Sequence, residues 1–128
     1  PLGEDVHREL QAHLAGGRTV EPGTVVRTGP GSLPVRHILH AVAIDPSYDS
    51  SVELVARTIA RALAMACGLG ARTVAMPALA TGFGPLSMAD FAEALKRALL
   101  EDWTPLERLT VAVLHEDEAA EIRAALLG

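Results

Sequence analysis

Thr73-Val74-Ala75-Met76-Pro77-Ala78-Leu79-Ala80-Thr81-Gly82-Phe83-Gly84 is the stretch whose reading decides the fold. Arg72 to Met76 has the character of a buried strand. From Pro77 to Ser87 the chain passes from that strand's carboxyl end to a helix's amino end, the place where open α/β sheets bind ligands. Gly82 and Gly84 permit positive φ and close approach of the main chain. Successive N–H groups there can form a hollow for an anion. Thr81 adds a hydroxyl donor, and Phe83 projects a ring over whatever sits in the loop. Glycines are also common in purely structural strand-to-helix turns, so spacing alone leaves both readings open. The loop carries neither the Gly-Lys-Ser/Thr of a Walker loop nor a dinucleotide fingerprint.

Downstream of the loop, Ser87 and Asp90 have the spacing of a capping box, and Leu86 and Phe91 that of a hydrophobic staple. The helix they open turns Phe91, Leu95, Ala98 and Leu99 inward, and Trp103-Thr104-Pro105 ends it. Leu109 to Leu114 reads as a further apolar strand. Asp117 to Leu127 reads as a closing helix with Ile122 and Leu126 inward.

Upstream, Ser50 and Glu53 suggest another capping box. The helix behind it places Val52, Val55, Ile59, Leu63 and Ala66 on one face, and Gly68 and Gly70 stop it. His37 to Ile44 is a nearly unbroken apolar run, suited to a strand covered on both faces, and Asp45-Pro46-Ser47 breaks it. Thr24 to Thr28 predicts a short strand after Pro22-Gly23, with a turn at Gly29-Pro30-Gly31-Ser32. Val6, Leu10 and Leu14 form one stripe, so Glu4 to Leu14 predicts a helix ended by Gly16-Gly17. Strands alternating with helices of these lengths imply an α/β fold with a largely parallel sheet and helices on both faces.

The chain has 128 residues, which suggests one domain over 1–128. That length can bury a core without disulfides or metals. Aromatics make up 3% of the residues, so the core must be aliphatic. Eleven basic and sixteen acidic residues give a net charge of −5, which argues against non-specific nucleic-acid binding. It leaves room for a small anion, because main-chain N–H groups at a helix start bind phosphate without Lys or Arg. Cys67 is the single cysteine, so an internal disulfide is impossible, and it reads as a small buried residue on a helix. One cysteine fits a cytoplasmic protein. No apolar run approaches the ~20 residues of a membrane span. His7 and His13 do not share a helix face. His37 and His40 point to opposite sides of a strand, with His40 as core or hydrogen-bonded support. No Cys, His or carboxylate spacing suits a metal, and no structural zinc is expected.

Two stretches together resemble the macro domain family. Thr73 to Gly84 is similar to the family's strand ending in Ala-Phe-Pro-Ala and its Ser/Thr-Gly-aromatic-Gly loop. Leu33-Pro34-Val35-Arg36-His37-Ile38-Leu39-His40-Ala41-Val42 is similar to its Leu-Pro-aliphatic-Arg-x-Val-Ile-His-x-Val strand. Gly23 to Gly29 fits the preceding strand, and Val111 to His115 the last one. The resemblance implies a three-layer α/β/α fold with a mostly parallel central sheet and a site for ADP-ribose. By it, Ala78, Leu79, Ala80, Thr81, Gly82, Phe83 and Gly84 wrap the diphosphate and distal ribose, with Phe83 near that ribose. His115 stands where members often place an aromatic that stacks on adenine; it also reads as a solvated strand-end residue.

Family members begin with two strands and an Asn-Ala-Ala-Asn segment, whereas this sequence contains no Asn. It opens at Pro1 with no strand before its first helix, so an upstream segment is expected to be missing, or the domain to be reduced. Gly3 is then what remains of a Gly-rich loop, with Val6-His7 matching the Ile-His of the helix. Asp5 is the nearest candidate for the acidic residue that positions water in hydrolase members; it also suits a helix start as a dipole-favoured charge. The expected ligand is ADP-ribose or an ADP-ribosylated protein, with no cofactor and a possible homo-oligomer. Three functions are in play: an ADP-ribose binder, an ADP-ribosyl hydrolase acting on ADP-ribosylated protein or O-acetyl-ADP-ribose, and a degenerate fold serving as an interaction module.

Overall fold

Ser51 starts the first long helix: its side chain accepts the N–H of Leu54 at 3.0 Å while its own backbone stays extended. This is a computed structural model; it describes residues 8, 21–43, 50–81 and 85–127. In chain order these hold β1 (Val25–Thr28), β2 (Ile38–Ala41), α1 (Val52–Gly68), β3 (Thr73–Pro77), α2 (Met88–Ala98), β4 (Arg108–Ala112) and α3 (Glu116–Leu127). The helix read at Glu4 to Leu14 and its Gly16-Gly17 stop lie outside the described residues, apart from Arg8, which is helical and exposed. The Asp45-Pro46-Ser47 break lies outside them too.

The cap of α1 departs from expectation by one residue. Ser50, expected as the cap, instead donates its hydroxyl to the carbonyl of Ala43 at 2.6 Å. The second capping box forms as the sequence indicates: Asp90 N–H donates to Ser87 Oγ at 3.1 Å, and Ser87 N–H to Asp90 Oδ2 at 3.0 Å. Leu86 and Phe91 both join the core.

Val55, Ile59 and Leu63 of α1 and Phe91 of α2 are fully buried, and Ala92 and Ala94 let the two helices approach closely. This aliphatic block also takes in Met76 of β3 and Ile122 of α3. Thr58 is buried within it and stays satisfied by donating to the Leu54 carbonyl at 2.7 Å. Leu99, expected inward, is 44% exposed because α2 ends at Ala98 and the chain turns away. Trp103 reaches back and donates its indole N–H to the Ala98 carbonyl at 2.8 Å, filling one of the acceptors a helix end leaves open. Cys67 is half-buried rather than buried, and its thiol donates to the Trp103 carbonyl at 3.1 Å. The Thr104 hydroxyl and N–H both donate to Asp102 Oδ1, which holds that carboxyl below the usual carboxylate range.

β1 and β2 pair antiparallel, with Val25 opposite Ala41 and Thr28 opposite Ile38. Thr28 is fully buried, and its Oγ1 lies 3.0 Å from His40 Nε2. Thr28 also donates to the Gly29 carbonyl. β3 and β4 pair parallel, from Thr73 opposite Arg108 to Pro77 opposite Ala112. Val74, Met76, Leu109 and Val111 join or pack against the core with the helices. By the alternation of strands, Thr73, Ala75, Thr110 and Ala112 point the other way, and they are exposed. Among the described residues the helices therefore cover one face of this pair. No described helix is long and apolar enough to cross a membrane.

Gly23 begins the β1–β2 ladder at φ 91°, and its carbonyl accepts Arg61 Nη1 at 3.0 Å. A Cβ there would lie 3.2 Å from that same nitrogen. Gly23→Ala is expected to cost roughly 1–2 kcal/mol, the penalty of a left-handed L residue. Thermal unfolding should show a midpoint several degrees lower. An unchanged midpoint would mean the turn does not need this conformation.

Candidate functional site

β2 and β3 belong to different strand pairs, yet their carboxyl ends flank one cleft. Ala41, Val42 and Ala43 form one wall, and Pro77 to Thr81 the other, of an open cleft of about 520 Å³. That volume lies within the range of small-molecule sites, ~300–1,000 Å³. Small side chains at Ala41, Ala43, Ala78 and Ala80 keep it open. Ser50 fixes the first wall by holding the Ala43 carbonyl.

The second wall is shaped by a tight turn. Thr81 N–H approaches the Ala78 carbonyl at 3.4 Å, and Ala80 has φ 64°. Among the described non-glycine residues Ala80 alone has positive φ, so this turn has its left-handed residue third, a place that normally calls for glycine. Such a residue costs of order 1–3 kcal/mol and persists where its surroundings impose it. Two bonds impose it here. Thr81 Oγ1 donates to the Ala78 carbonyl at 2.6 Å, and Leu86 N–H donates to the Ala80 carbonyl at 3.1 Å. The second bond closes the loop across residues 81–85.

Among the described residues no acceptor takes the N–H of Leu79 or Ala80. None of the eight residues lining the cleft carries a charged side chain. An anion there would have to be held by main-chain donors, as anions are at turns and helix starts. The start of α2 contributes less than expected. Asp90 already places a carboxylate against it and takes the Ser87 N–H, and an acidic group there offsets the positive end of the helix.

Ala78, Leu79, Ala80 and Thr81 line the cleft together. The Thr81 hydroxyl, read as a donor to the ligand, gives its single hydrogen to the Ala78 carbonyl at 2.6 Å and braces the turn. Gly82, Phe83 and Gly84 lie outside the described residues, as do Gly3 and Asp5. His115 is exposed at the start of α3; its N–H donates to Glu118 Oε1 at 3.0 Å and its carbonyl accepts from Ala119. It is not among the residues that line the cleft. Ala41 to Ala43 were not expected in the site, and the signal for them is faint: two alanines at the end of an otherwise bulky apolar run.

A family model described as Macro domain matches residues 2–95. A macro domain-containing protein of Streptomyces coelicolor is 34% identical over 125 residues, covering 94% of this chain and 71% of the relative. An O-acetyl-ADP-ribose deacetylase of Klebsiella pneumoniae is 32% identical over 112 residues, covering 82% of this chain and 63% of the enzyme. An uncharacterized protein of Mycobacterium tuberculosis is 27% identical over 119 residues, which cover 93% of this chain but only 33% of the length of that relative. Among solved structures, the Oceanobacillus iheyensis macrodomain with ADP superposes with a TM-score of 0.79 at 20% identity, covering 96% of this chain and 67% of that one. The Trypanosoma brucei macrodomain gives 0.74 at 21%, covering 98% and 54%.

Proposed function

The chain belongs to the macro domain family, and from that premise we propose that it binds ADP-ribose, with the diphosphate held by the main chain of Ala78 to Gly84. The observation that carries this reading is the braced turn whose Leu79 and Ala80 N–H groups no described residue engages, beside a cleft whose lining carries no charged side chain. The O. iheyensis macrodomain, alike in fold, has been solved with ADP. The distal ribose then lies toward Gly82, Phe83 and Gly84. Adenine follows away from the loop, with His115 as a candidate stacking partner.

Calorimetric titration tests the proposal. ADP-ribose and ADP are expected to give saturable heat, and AMP, with one phosphate, to bind at least roughly tenfold more weakly, a loss of about 1.4 kcal/mol. Equal binding of AMP and ADP-ribose would remove the diphosphate from the account. Thr81→Val removes the brace and should weaken ADP-ribose roughly fivefold, near the net worth of one hydrogen bond. Thr81→Ser keeps the hydroxyl and should restore most of the affinity. If Val and Ser behave alike, the brace is not what shapes the turn.

A second reading is carried by the Klebsiella relative, an O-acetyl-ADP-ribose deacetylase. In it, water cleaves a bond at the distal ribose, with Asp5 as candidate positioning group. Release of acetate from O-acetyl-ADP-ribose, or loss of label from an ADP-ribosylated protein, supports it. Binding without either leaves a reader.

A further inference from the structure

The peptide between Leu79 and Ala80 differs from its neighbours on both sides, which are tied down. Before it, the Ala78 carbonyl accepts the Thr81 hydroxyl at 2.6 Å and the Thr81 N–H at 3.4 Å. After it, the Ala80 carbonyl accepts the Leu86 N–H at 3.1 Å. Between these two points, neither the Leu79 carbonyl nor the Ala80 N–H has a hydrogen-bond partner among the described residues. Ala80 itself is 7% exposed and belongs to the core cluster, which fixes the course of the chain here. No bond fixes the orientation of the peptide.

Four-residue turns have two common settings, which differ chiefly in the rotation of this middle peptide about its two ends. One gives the third residue a negative φ and suits any L residue. The other gives it a positive φ and calls for glycine. Ala80 stands at φ 64°, in the setting an L residue disfavours. Rotating the peptide to the other setting exchanges the directions of its N–H and C=O and leaves both ends of the turn in place.

We propose that the Leu79–Ala80 peptide is a two-position element of the anion site, with Ala80 as its positioning residue. This inference rests on the ADP-ribose reading. In the observed setting the Ala80 N–H serves the diphosphate. In the other, the Leu79 carbonyl takes its place and presents a partial negative charge. The ligand binds one setting, and the fraction of free protein already in it scales the affinity. The Thr81 brace raises that fraction, and the methyl group of Ala80 lowers it. Alanine thereby leaves the choice of setting to the brace and the ligand, where glycine would make it locally.

Calorimetric titration with ADP-ribose of the parent chain, Ala80→Gly, Thr81→Val and the double variant tests this, with circular dichroism to confirm each fold. Ala80→Gly removes the left-handed penalty and should bind roughly three- to tenfold tighter. Thr81→Val should cost roughly fivefold alone. Beside Ala80→Gly it should cost less than roughly twofold, because glycine holds the setting without the brace and the two changes are coupled. An affinity that does not rise in Ala80→Gly overturns the proposal and leaves the ADP-ribose reading standing. So does a Thr81→Val loss of the same size in both backgrounds. No heat from any of the four folded proteins overturns the ADP-ribose reading, and this proposal with it.

Discussion

Gly82→Glu is expected to abolish ADP-ribose binding. Gly82 follows Thr81 directly, inside the loop that the Leu86-to-Ala80 bond closes. With the diphosphate bound as proposed, a carboxylate there meets it at close range. Two unit charges about 4 Å apart repel by roughly 4 kcal/mol at the effective dielectric of a protein surface. That corresponds to roughly a thousandfold in affinity, and the added side chain also fills space. Gly82→Ala carries no charge and should lose much less. Titration of both variants, with circular dichroism to confirm the fold, separates charge from strain. If Gly82→Glu binds within roughly tenfold of the parent protein, the diphosphate lies elsewhere.

Phe91→Ala should produce the largest loss of stability. Phe91 is fully buried at the start of α2, among Ile59, Leu63 and Leu95. Truncating a buried Phe typically costs 3–5 kcal/mol, transfer and cavity together. A domain with a total stability of ~5–15 kcal/mol then sits near its unfolding threshold. Leu99→Ala, at a residue 44% exposed, should cost under about 1 kcal/mol. Urea unfolding of the two variants side by side decides whether α2 faces the core as described. Similar midpoints for both would contradict it.

The helices were largely legible because apolar periodicity reports directly on burial. Val55, Ile59, Leu63, Phe91 and Leu95 read as core from spacing alone, and they are core. Ser87 and Asp90 offered one capping pattern, and it formed. At Ser50 and Ser51 two adjacent serines competed, and the sequence had no means to choose. The choice was made by a tertiary contact, the Ser50 bond to the Ala43 carbonyl. Leu99 was misplaced because helical periodicity does not show where the helix stops.

The site was legible along the chain and not across it. The stretch from Ala78 to Thr81, one wall of the cleft, could be singled out because one loop carries it. Its opposite wall, Ala41 to Ala43, comes from a strand more than thirty residues earlier, and only the fold brings it there. Glycine drew attention to residues 82 and 84, whereas the left-handed non-glycine residue among those described is Ala80, which advertises nothing. The hydroxyl of Thr81 was read by its chemistry as a ligand donor. Its nearest strong acceptor, the Ala78 carbonyl, is supplied by the turn itself.

Binding as proposed engages particular main-chain hydrogens, and amide-resolved NMR observes them one by one. On titration of the labelled protein with ADP-ribose, the amide resonances of Leu79, Ala80 and Thr81 are predicted to shift most and to saturate with the calorimetric affinity, while those of α3 stay in place. Saturable binding that leaves these three amides unmoved would contradict the account.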